Sequence, residues 1–99
     1  MADTLTFDRR MVERVPLQAT ATMAYTGRDD AFGLTWAEIV DTSLEGLGII
    51  SPIDAPLGSF IRIYPTTNAL PIREGVVVRC TPHEQGFRIG LECVQRQAA

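Results

Sequence analysis

Leu17-Gln18-Ala19-Thr20-Ala21-Thr22-Met23-Ala24-Tyr25 is the stretch on which the fold turns. Its odd positions are mostly apolar, and most of its even ones (Gln18, Thr20, Thr22) are polar. A period of two belongs to a half-buried strand, whose side chains point alternately to either face. Downstream, Gly27, Arg28, Asp29 and Asp30 make a loop. A second run follows over about Gly33–Asp41, then a tight connection, then a third at Gly46–Ile50.

Ser51–Gly58, with two prolines and an aspartate, reads as a connecting loop. Ser59–Tyr64 resumes the alternation, with Ile61 and Ile63 on one side and Phe60, Arg62 and Tyr64 on the other. Pro65 and Asn68 mark another turn. The fifth run, about Ile72–Cys80, places Ile72, Val76, Val78 and Cys80 on one face, and Arg73, Val77 and Arg79 opposite. Pro82–Gly86 is a hairpin loop and Phe87–Val94 the last strand. Short runs rich in β-branched and aromatic residues, broken by Gly, Pro, Asp and Asn, spell an all-β chain. Six such strands suggest an antiparallel barrel, closed or nearly so, which leaves no exposed sheet edge.

The bulk composition narrows the function. A chain of 99 residues holds one domain, large enough to fold without a disulfide or metal. The net charge of −3 argues against a general nucleic-acid binder, which needs a surplus of cations facing phosphates. All nine cations are arginines, the side chain suited to forked contacts with phosphate and to stacking on flat rings. No apolar stretch approaches the roughly 18 residues of a membrane span, and the polar N-terminus lacks the apolar segment of a secretory signal. The reading is therefore cytoplasmic, with Cys80 and Cys93 as reduced structural thiols. A turn centred on residues 84 and 85 sets Cys80 opposite Ile89 and Cys93 opposite Val76. That separation exceeds the Cα distance of about 7 Å that a disulfide tolerates.

Two motifs carry more. Arg10-Met11-Val12-Glu13-Arg14 spaces two arginines by three residues, directly before Val15-Pro16-Leu17. Asp41-Thr42-Ser43-Leu44-Glu45-Gly46 closes the second strand. In this order, on a small all-β chain, they resemble the RxxxR and [D/N]xSxxG signatures of the PilZ family. The likeness covers nearly the whole chain.

The resemblance implies a single PilZ domain over residues 1–99. A flexible arm (1–16) would carry RxxxR, a six-stranded β-barrel would span 17–94, and a tail (95–99) would be too short for the helix the family often adds. It implies a receptor for the bacterial second messenger cyclic di-GMP, without catalytic activity. The ligand's chemistry suits these residues. Guanine presents O6 and N7 to one arginine, and a guanidinium can instead clamp a phosphate through paired hydrogen bonds. By resemblance, Arg10 and Arg14 wrap the ligand. Asp41 accepts from guanine N–H groups or orients an arginine, Ser43 makes a polar contact, and Gly46 allows a backbone angle or a close approach. Arg9, at the position the family associates with stoichiometry, implies a stacked dimer of cyclic di-GMP. Arm ordering would signal to an effector protein, in a pathway such as motility or exopolysaccharide synthesis. The alternative is a PilZ-like module that docks onto a protein without ligand; a nucleic-acid-binding barrel is a weaker one.

Other residues offer less. His83 lies in the predicted hairpin loop, and Cys80, His83 and Cys93 supply too few ligands for a metal site. No GxGxxG or GxxxxGK loop is present, and Ser43 has no evident base. Trp36 is read as a packing residue, with a surface aromatic used for a partner as the alternative.

Overall fold

The computed structural model describes residues 14–26 and 31–93. The loop at 27–30, Val94, the tail at 95–99, and Arg9 and Arg10 lie outside them. Six strands follow in order: β1 (Val15–Thr26), β2 (Phe32–Thr42), β3 (Gly46–Ser51), β4 (Phe60–Pro65), β5 (Arg73–His83) and β6 (Gly86–Cys93). Every neighbouring pair is antiparallel, and the order β1-β2-β3-β6-β5-β4 closes on itself because β1 also pairs with β4. The alternation of β1 decides its inner face as expected: Ala21 and Met23 are buried, while Thr20 and Thr22 face solvent.

The inward residues of all six strands form one core. Met23, Ile39, Ile49, Ile61, Ile63, Val77 and Ile89 are almost wholly buried, with Ala21, Ala37, Leu47 and Leu91 among them. Burying each isoleucine contributes about 1.5–3 kcal/mol. Small and large residues share the interior, as a narrow barrel requires. The one buried polar residue among those described, Ser51, satisfies itself locally: its Oγ donates to the Ile53 carbonyl at 2.8 Å and accepts from the Ile53 N–H at 3.1 Å.

Three expectations about strand faces need correction. In β5 the inner face carries Gly75 and Val77, not Ile72, Val76 and Val78; Ile72 and Val78 are exposed. Register explains this: Gly75 pairs with Cys93 and Val77 with Leu91, both buried, but Arg79 pairs with Gly90, so Val78 is an extra, bulged residue. Beyond the bulge parity reverses and Cys80 turns back toward the core. The same bulge moves the partner of Cys93 from Val76 to Gly75, while Cys80 does face Ile89.

A second bulge lies in β2, where Ile39 pairs with Ile49 but Asp41 pairs with Gly48, leaving Val40 extra. Asp41 therefore leaves the side of Ala37 and Ile39 and projects outward. Trp36, expected to pack, is 54 % exposed on the outer face.

Both cysteines are free thiols. Burial pushes the Cys93 thiol up, opposed more weakly by the nearby Arg73 charge. That thiol stays protonated and unreactive at neutral pH.

Candidate ligand-binding face

The bulge at Val40 sets Asp41 on the outer surface of β2, above β3. Its carboxylate lies flat on the sheet because Gly48 is beneath it; a Cβ there would come within 2.7 Å of Oδ1. Both oxygens are engaged. Arg14 Nη1 donates to Oδ1 at 2.6 Å, and Arg88 Nη2 donates to Oδ2 at 2.7 Å. Arg14 comes from the segment leading into β1, and Arg88 from β6. Asp41 is largely covered, whereas both guanidiniums keep more than two-fifths of their side-chain surface open.

Gly48 pairs with Gly90 of β6, and Arg79 of β5 lies over Gly90, its Nε and Nη2 3.6 Å from where a Cβ would stand. Around the Gly48–Gly90 pair the outer face thus gathers the Asp41 carboxylate with Arg14, Arg88 and Arg79.

The turn after β2 is built by its own residues. The Ser43 N–H donates to the Gly46 carbonyl at 2.9 Å, and the Gly46 N–H donates to Ser43 Oγ at 3.1 Å. Ser43 Oγ keeps its own hydrogen to donate elsewhere. Gly46 serves close approach rather than an unusual backbone angle. A Cβ there would stand 2.8 Å from the Leu91 carbonyl oxygen, and its φ is not among the positive ones.

Arg73 grips the turn from below. It sits at the mouth of the barrel on the inward side of β5, opposite Ile63, and extends to the opening as long cations do. Nη1 donates to Thr42 Oγ1 at 2.9 Å and the Ser43 carbonyl at 2.8 Å, and Nη2 donates to the Leu44 carbonyl at 2.8 Å. Lysine, a point charge on a flexible stem, does not reproduce that fork. Arg73→Ala is expected to lower stability by roughly 2–4 kcal/mol, read in urea melts, with Arg73→Lys recovering less than half. A melt unchanged by Arg73→Ala would show that the turn holds itself.

An apolar cleft of about 370 Å³ opens at the same end of the barrel, lined by Leu17, Ile39, Leu47, Ile63 and Leu70 among others. Its lining cation, Arg73, is already committed to the turn after β2, whereas Arg14, Arg79 and Arg88 on the outer face keep open guanidiniums.

Arg14, Asp41, Ser43 and Gly46 therefore converge in space, although Arg14 and Asp41 are 27 residues apart. Arg9 and Arg10 fall outside the described residues. The motifs in the sequence do not single out Arg73, Arg79, Arg88, Gly48 or Gly90. The all-arginine cation set is the one signal that points toward the three arginines.

A family profile for the PilZ domain matches residues 8–99. The chain belongs to the PilZ domain family. PilZ domains bind cyclic di-GMP and are not catalysts, and the closed six-stranded barrel fits that membership. No curated protein matches the chain. In this PilZ domain no helix among the described residues is long and apolar enough to cross a membrane.

Proposed function

We propose that this PilZ domain is a cyclic di-GMP receptor whose ligand lies on the outer face around Asp41. The observation that carries the reading is the Asp41 carboxylate holding Arg14 and Arg88 side by side, both still half open to solvent. An exposed ion pair of this kind is worth about 0–1 kcal/mol. An arriving phosphate can therefore recruit either guanidinium at little cost, through a stronger paired contact. Asp41 then accepts from guanine N1–H and N2–H, and the Ser43 hydroxyl donates to the ligand. Arg9 and Arg10 close over the ligand from the N-terminal side, Arg9 favouring a stacked pair of nucleotides. Ordering of that arm makes a new surface for an effector protein.

Titration calorimetry of cyclic di-GMP into the wild type and Arg14→Ala, with GTP as control, tests this. Saturable binding to the wild type alone is expected, near two nucleotides per chain. Absence of binding to the wild type at high micromolar ligand would leave a module that docks without nucleotide.

A further inference from the structure

The side of the barrel away from β3, β6 and β5 carries a second surface built from β2, β1 and β4. On β2, Phe32, Leu34 and Trp36 all point outward and are 71 %, 60 % and 54 % exposed. Across β1 they meet only small residues: Phe32 pairs with Thr26, Leu34 with Ala24 and Trp36 with Thr22. On the far side of β1 stand Tyr64 opposite Thr22, Arg62 opposite Ala24, and then Phe60. The result is a ridge on β2, a low shelf on β1 and a second wall on β4. Ala24, at the centre of the shelf, is only 8 % exposed although it faces outward, because its taller neighbours lean over it.

We propose that this face is where two copies of the chain pack against each other. The shape is self-complementary under one particular two-fold axis, parallel to the strands and midway between β1 and β2. That rotation sets the β2 ridge of each copy over the β1 shelf of the other, at the usual sheet spacing of about 10 Å. Leu34 then rests on Ala24, Trp36 on Thr22 and Phe32 on Thr26, large over small in every row. The same residues serve both sides, as an isologous interface requires.

Area agrees with this occupant. At about 200 Å² per large side chain, the ridge together with Tyr64 and Phe60 leaves roughly 500 Å² of mostly apolar surface open. A standard interface covers about 800 Å² per partner, a little over half of it apolar. Charge agrees too. Among the described residues the one cation on this face, Arg62, donates to Glu74 at 2.6 Å, forming a paired group at the rim. An anionic membrane, which attracts unpaired basic clusters, finds none in these rows.

The test is sedimentation equilibrium on the intact chain at about 100 µM, where a complex with a Kd of roughly 10 µM is mostly assembled. The expected mass is twice the 10.9 kDa of one chain. The axis places the two Leu34 side chains beside each other, so Leu34→Glu and Leu34→Lys should each give monomers, and mixing them should restore the pair. Each variant should keep the wild-type circular dichroism spectrum, and its melting temperature at about 1 µM, where the wild type too is mostly monomeric, because the site is exposed. A monomeric wild type at 100 µM overturns the proposal. So does a pair that survives Leu34→Glu, or a mixture that stays monomeric while both variants are folded.

Discussion

Asp41→Ala is expected to weaken cyclic di-GMP binding at least a hundredfold, measured by titration calorimetry. Two effects of opposite sign compete. Removing the carboxylate deletes a negative charge beside Arg14 and Arg88, which by itself favours an anionic ligand. That gain is small, because exposed and screened charges at this range contribute about 0–1 kcal/mol. The loss is larger. Two hydrogen bonds from guanine N–H groups to an ionised acceptor are worth roughly 1.5–3 kcal/mol each, and the two guanidiniums lose the anchor that holds them side by side at 2.6 and 2.7 Å. A hundredfold is about 2.7 kcal/mol, at the low end of that sum. Asp41→Asn keeps one acceptor oxygen but turns an amide N–H₂ toward an arginine, so an intermediate loss near tenfold is expected. Asp41→Ala binding as tightly as the wild type would remove the carboxylate from the site and leave only the arginines.

The largest effect on stability is expected from Gly86→Ala, which should lower the melting temperature by about 20 °C or prevent folding. Gly86 has a φ of 139°, a region costly for any residue with a Cβ. It also opens β6 directly after the β5–β6 turn, and an added Cβ would run into the carbonyl of Ser51, with Pro52 Cα at 3.1 Å. These are backbone atoms at the end of β3, pinned by the pairing of Ser51 with Phe87. They cannot rotate away as a side chain would. Strain and overlap together cost on the order of 3–5 kcal/mol, a large part of the stability of a domain this size. At about 4–8 °C per kcal/mol the shift follows. Gly58→Ala is the control. Its φ is 88°, but nothing lies within 4 Å of the added Cβ. Only the strain remains there, about 1–2 kcal/mol, or roughly 10 °C. Equal losses at the two glycines would mean that the corner between β3 and the β5–β6 turn is not closely packed.

Much of this domain is legible in its amino-acid sequence. The alternation in Leu17–Tyr25, the placement of Gly and Pro, and the apolar runs suffice for six strands and a closed barrel, because strand formation answers to local pattern. The loop expected over Pro82–Gly86 tightens to residues 84 and 85, because Pro82 and His83 pair with Phe87 and Gly86, and with the turn centred there Cys80 does face Ile89. RxxxR and DxSxxG point to Arg14, Asp41, Ser43 and Gly46, which do come together in space.

Which way several side chains point is a different matter. Counting apolar residues along β5 favours the face of Ile72, Val76 and Val78, yet Val77 is in the core. Parity along β2 puts Asp41 with Ile39, yet it projects to the surface. An isolated aromatic such as Trp36 is expected to pack, yet it forms part of an open ridge. In β5 and β2 the deciding event is a single extra residue, Val78 or Val40, and alternation carries no mark of where a bulge falls. Its position depends on which partner strand must stay in register, and so on Leu91 and Gly90 for β5 and on Ile49 and Gly48 for β2. The same holds for Arg73 and Arg88, ordinary strand arginines until closure of the barrel brings them to the turn and to Asp41. The strands, their order of appearance and the two motifs are properties of neighbours along the chain, so the chain alone reveals them. The faces and the full set of charges around Asp41 depend on pairings between distant segments, and those exist only once the barrel has closed.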